Sequence, residues 1–167
     1  ARSASLDLVD LDLRGPARAA AALASVRPSR ARWREALHKS IWAYGQRSRA
    51  ARRLIGQRRG AIDAVLQHGA LFHAHTPGGP PVAIYTDFTY RLAQREDDWR
   101  NPFSSSADSE RWNALEHEAY QGAAVLLTRS EYARQSLLLD YGMPPERVVV
   151  VGGGVNFAQL PPPAPPA

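Results

Sequence analysis

Residues 123–156 read AAVLLTRSEYARQSLLLDYGMPPERVVVVGGGVN, and the order of signals in this stretch decides the fold. AAVLLTRS opens it with an apolar run, short enough to be a strand buried on both faces. Ser130 then caps a helix over EYARQSLLLDYG, with Gly142 at its C′ position and Pro144 and Pro145 preventing continuation. Four valines, 148–151, form the next strand. Strand, helix and strand in this spacing make a parallel unit with a right-handed crossover. Gly152, Gly153 and Gly154 look at first like the start of a dinucleotide loop. That fingerprint needs a helix directly after its glycines and a small residue at the sixth position, which here is Phe157 with prolines beyond.

Upstream, the same alternation repeats. PVAIYTD follows Pro80 and Pro81, and AIDAVLQHG is a short apolar run bounded by glycines. Ser109 can cap a helix from Glu110 to Gly122, with Trp112, Leu115, Ala119 and Tyr120 as its apolar positions. Trp33, Leu37, Ile41, Tyr44, Ser48, Ala51 and Ile55 step by three and four, which predicts one long amphipathic helix over 28–56 with Trp33 and Tyr44 in the core. SLDLVDLDL, residues 5–13, alternates leucine with aspartate as a partly exposed strand does, and Gly15 and Pro16 end it. Strands alternating with helices give an α/β layered domain with a mostly parallel sheet. RLAQREDDWRNPFSSSAD, between Tyr90 and Ser109, reads as a long loop, and PPPAPPA as a linker or its stump.

Composition sets outer bounds. The chain of 167 residues, 44% hydrophobic, suits one domain with a proper core. It has no cysteine, which excludes disulfides and thiolate metal sites. No apolar run reaches the ~20 residues of a spanning helix, and the first 25 residues show no signal-peptide pattern. A cytoplasmic protein is expected. The net charge of +5 is uneven, because residues 27–59 hold eleven Arg or Lys against the single acid Glu35. This basic segment has three readings: a solvated helix face, a peripheral contact with the inner face of a membrane with Trp42 at the interface, or a nucleic-acid surface. Nucleic acid is disfavoured, since its aromatics sit on the apolar stripe rather than among the arginines.

Three residue clusters invite chemistry. His68, His73 and His75 have no carboxylate at ligand spacing and read as loop polar groups, so no metal is expected. Glu116, His117 and Glu118 read as a solvated helix surface, since adjacent helical residues face different ways. Asp87 ends a buried strand in IYTDFTY, on the side of a parallel sheet where ligands bind. Either it has a functional role or it caps the following turn.

Taken in order, PVAIYTDFTY, a variable loop, and then 112–156 resemble the N-terminal domain of retaining glycosyltransferases of GT-B fold, those of family 4. Glu118, Ala119 and Tyr120, then Ala123, Ser130, Arg134, the pair Tyr141 and Gly142, Glu146, Val148 and the closing GGGVN carry the likeness, which covers 61–157. It implies a Rossmann-like three-layer domain, the N-terminal half of a GT-B fold, over residues 1–157. The family's first strand would precede residue 1, and 158–167 would be a linker stump before a donor domain absent from this chain. The implied reaction moves a sugar from a nucleotide sugar to an acceptor hydroxyl with retention, using no cofactor and no metal, and the chain alone would be inactive. Asp87 would be catalytic at the cleft floor, although many members have histidine there. Thr89, Tyr90, Ser130, Arg134, Gly153, Gly154 and Asn156 would bind substrate. The other class kept open is a non-catalytic Rossmann-like module that contacts a membrane or protein through its arginine-rich helix.

Overall fold

The computed structural model describes residues 5–96 and 100–153. Four strands, β1 (Val65–His68), β2 (Val82–Thr86), β3 (Val125–Thr128) and β4 (Val148–Val150), form one parallel sheet in the order β1-β2-β3-β4. In register, Gln67 faces Ile84, Ile84 faces Leu126, and Leu126 faces Val148, a row buried throughout. These are the apolar runs expected from the sequence, and parallel pairing buries them because each crossover returns over the sheet.

Three helices close that face: α3 (Ile41–Gln57), α5 (Ser106–Gly122) and α6 (Glu131–Leu139). Ala51 and Ile55, Ala119 and Tyr120, and Leu137 pack from them onto Val82, Ile84, Leu126 and Val148 in one cluster. With strands added in one direction by right-handed crossovers, α5 and α6 must lie on the same side. The alternate row is less covered, and Leu66 at its edge is 64% exposed. Gly142 ends the α6 region at φ +62°, a left-handed backbone that suits glycine and lets Met143 N–H reach Leu137 O at 3.0 Å.

The N-terminal third departs from the expected pattern. Residues 5–14 form no strand, and Leu6 and Leu8 are 74% and 85% exposed. Alternation alone makes no strand without a neighbour to pair with. Here the aspartates act instead, Asp12 Oδ1 accepting from Arg47 at 2.7 Å and Asp7 pairing with Arg58. Gly15 and Pro16 begin a helix, α1 (Gly15–Ala24), rather than ending a strand, since proline is preset for the first helical turn. The single helix predicted over 28–56 is two, α2 (Arg30–His38) and α3. Ser40 breaks it with an extended backbone, its Oγ accepting from Ala43 N–H at 3.4 Å. The break turns Trp33 away from the core. It is 36% exposed, its indole N–H donating to Ala22 O of α1 at 2.8 Å.

Two boundaries also move. The stretch read as a loop after Tyr90 begins with α4 (Tyr90–Arg95), and α5 starts at Ser106 with Ser105 as its cap, four residues before the cap expected at Ser109. Ser109 is buried inside that helix and meets the Tyr90 hydroxyl at 2.9 Å. Trp99, Gly154, Asn156, Phe157 and the proline-rich tail lie outside the described residues.

Candidate functional site

The carboxyl ends of the strands bring together Gly69, Asp87, Arg129, Gly152 and Gly153. Backbone bonds continue past the strands: Gly69 N–H donates to Tyr85 O, Arg129 N–H to Thr86 O and Val151 N–H to Thr128 O. This is the edge of a parallel sheet at which ligands settle, because loops diverge there and leave backbone and side chains accessible. Asp87 is exposed at that edge, and its carboxylate accepts no hydrogen bond from the described residues. It caps nothing. The turn is held by Thr86, whose hydroxyl donates to Phe88 O at 3.0 Å, and by Thr89, the N-cap of α4.

Thr89 and Tyr90 face inward, each 1% exposed. Thr89 Oγ1 accepts from Leu92 N–H at 3.3 Å and lies 2.6 Å from Ser136 Oγ, which donates onward to Asp140 at 2.6 Å. The Tyr90 hydroxyl donates to Asn101 Oδ1 at 2.7 Å, its ring edge-on to Phe103. Burial raises the Tyr90 pKa above its ordinary value. Both side chains hold the loop that displays Asp87. Ser130 caps α6, accepting from Ala133 N–H at 3.3 Å. Arg134, half-buried, bonds Glu131 at 2.9 Å and reaches Val148 O on β4. Gly153 is exposed.

Glu116 is not on a solvated surface. It is buried under the Asp87 loop, where its Oε2 accepts from Tyr90 N–H at 2.9 Å and from the Tyr141 hydroxyl. Tyr141 in turn accepts from Arg91 N–H at 3.3 Å. The first N–H groups of α4 are thus answered by Glu116, Tyr141 and Thr89 in succession, so this helix start is saturated by protein groups. Burial raises the Glu116 pKa, with the bonds from Tyr141 and Tyr90 pulling it back. The sequence carried the signal: Glu116 lies four residues after Trp112 and four before Tyr120, on the buried stripe of its helix. Arg129 follows β3 as Asp87 follows β2.

The histidines are dispersed. His73 Nδ1 sits 3.1 Å from Glu118 and its ring stacks on His75, whereas His68 stacks on Tyr85. Among the described residues no group of three or more His, Cys, Asp or Glu could hold a metal ion. No helix of the described residues is long and apolar enough to cross a membrane. A shallow depression of about 420 Å³ lies between α4 and α6, lined by Arg91, Gln94, Arg95 and Asp140.

A family model described as Glycosyltransferase Family 4 matches residues 7–159. No curated protein matches the chain.

Proposed function

Since the chain belongs to glycosyltransferase family 4 and is an N-terminal domain of GT-B type, we propose that it forms the acceptor-side wall of a cleft where a nucleotide sugar gives up its sugar with retention. The observation that supports this reading best is Asp87: a carboxylate at the ligand-binding edge, exposed, bonded to no described residue, and presented by a loop that Glu116, Thr89 and Tyr90 hold from below.

In the proposed reaction the bond from the anomeric carbon to the acceptor oxygen forms on the face from which the diphosphate oxygen leaves. The acceptor proton passes to that departing oxygen. The charge that grows on the sugar in the oxocarbenium-like transition state, and on the leaving diphosphate, is what the site must stabilise. Asp87 would accept a hydrogen bond from a sugar or acceptor hydroxyl and fix its direction. Ser130 and Arg134 would set the edge of the cleft after β3. Gly153, with Gly154 and Asn156, would let the backbone approach the substrates closely. The donor would be held largely by a second domain beyond this chain, so the isolated chain is expected to be inactive. Incubating the full-length protein with a panel of nucleotide sugars and following release of the nucleoside diphosphate, with the anomeric configuration of the product read by NMR, tests the reading. Inversion, or no turnover with any donor, overturns it.

A second reading concerns location, and exposed aromatics favour it. Trp33 and Trp42, the latter 46% exposed, stand with Leu23 and Val26 on the helical N-terminal third, among Arg30, Arg32 and Arg34. Apolar rings beside guanidinium groups suit the interface of an anionic membrane.

A further inference from the structure

We propose that Arg129 is an anion-binding residue of the cleft, placed to grip a phosphate group of a substrate; this rests on the glycosyl-transfer reading above and adds a subsite to it. Arg129 stands one step past the last register pair of β2 and β3, Thr86 with Thr128, and so does Asp87. Side chains at one register level of neighbouring strands point to the same side and lie within ~5 Å at their Cβ atoms. A guanidinium and a carboxylate so placed would ordinarily pair. They do not: Arg129 forms no ion pair or side-chain hydrogen bond among the described residues.

The reason lies on the other side, at β4. A Cβ built on Gly153 would fall 2.8 Å from Arg129 Nε and 3.4 Å from its Cζ. The Arg129 side chain therefore occupies the space that any larger residue at 153 would fill, leaning away from Asp87 and over the glycine turn. Gly152 makes that turn with φ +74°. The two charges stay separate, and neither has a partner among the described residues. Asp87 keeps its acceptor oxygens for a hydroxyl, and Arg129 keeps its planar fork of N–H donors for a phosphate, which it matches in two-pronged geometry. Arg134, the other arginine at this edge, is already engaged by Glu131 and Val148 O.

A phosphate can reach this position from the donor's diphosphate or from a phosphorylated acceptor. Calorimetry on the full-length protein distinguishes them with inorganic pyrophosphate as the probe for the first and glucose 6-phosphate for the second. Arg129→Gln is expected to weaken whichever probe binds by roughly tenfold to a hundredfold, the range of a charged hydrogen-bonded contact. Gly153→Val, which pushes the side chain aside, should weaken the same probe. Arg53→Gln, on the exposed face of α3, serves as the control for general charge loss and should change nothing. Wild-type affinity in Arg129→Gln, equal losses in Arg53→Gln, or no binding of either probe to the wild type overturns the proposal. Turnover separates the two readings: Arg129-dependent binding in a protein without transferase activity sinks the glycosyl-transfer reading and leaves the anion site standing.

Discussion

Asp87 and Glu116 are two carboxylates a loop apart with opposite fates, and each can be tested by one substitution. Asp87 is exposed and bonds to no described residue, so nothing in the fold depends on it. Asp87→Asn in the full-length protein should leave the melting temperature within about a degree while lowering kcat by about 10² to 10³, the usual weight of a well-placed hydrogen bond in a transition state. Near-normal turnover would remove Asp87 from the site. Glu116 is the reverse. Burial raises its pKa above the ordinary 4.5, despite the bonds from Tyr141 and Tyr90. A group whose folded pKa is raised binds its proton more tightly in the folded state, so its contribution to stability is fully present below about 4.5 and is lost as pH rises through the raised value. Glu116→Gln keeps an acceptor for Tyr90 N–H but cannot ionise. Its stability should therefore be flatter with pH above about 4.5 than that of the wild type, as denaturant melts at several pH values would show. Glu116→Ala leaves the Tyr90 N–H buried and unanswered, at a cost of about 1 to 3 kcal/mol.

At the scale of elements, the N-terminal helices are tied together by charge as much as by apolar contact. Their shared cluster is small, Leu13, Ala21 and Ala43 with Leu37 against it. Asp12 supplements it by accepting from Arg47 on α3 while pairing with Arg18 on α1. Partial burial works to raise the Asp12 pKa, but Arg47, the Leu13 N–H and Arg18 together outweigh it and bring the group down to about 2. A lowered folded pKa gives stability that is present above the ordinary 3.8 and lost as pH falls through about 2. Asp12→Asn should therefore cost roughly 2 kcal/mol at neutral pH and much less near pH 2, where about half of the folded-state carboxyls are already protonated. An equal loss at both pH values would show that shape, not charge, holds α1 to α3.

Over the whole molecule, the basic segment and the exposed tryptophans bear on where the protein works. If the N-terminal helices meet a membrane surface, the full-length protein should sediment with anionic vesicles, be released as salt rises, and ignore neutral vesicles. Trp42→Ala should weaken that binding, and Trp33→Ala should weaken it while also lowering the melting temperature, because the Trp33 indole N–H bonds Ala22 O of α1. Equal binding to neutral and anionic vesicles would leave these arginines as a solvated face. The same division between surface and core explains what could be read in advance. Runs such as PVAIYTD, AAVLLTRS and ERVVVV pointed to the parallel sheet and to the edge at which Asp87 stands, because strands covered by their own crossover helices are rich in apolar residues and the crossovers have one hand. Local chemistry also placed Ser130 as a cap and Gly142 in a left-handed turn. Tertiary structure decided the rest. SLDLVDLDL found no strand to pair with, the period over 28–56 was broken at Ser40, Glu116 went under a loop, and Arg129 leaned over Gly153 away from Asp87. Each depends on which distant groups come within a few ångströms, and periodicity along one segment holds no information about a neighbour supplied by another.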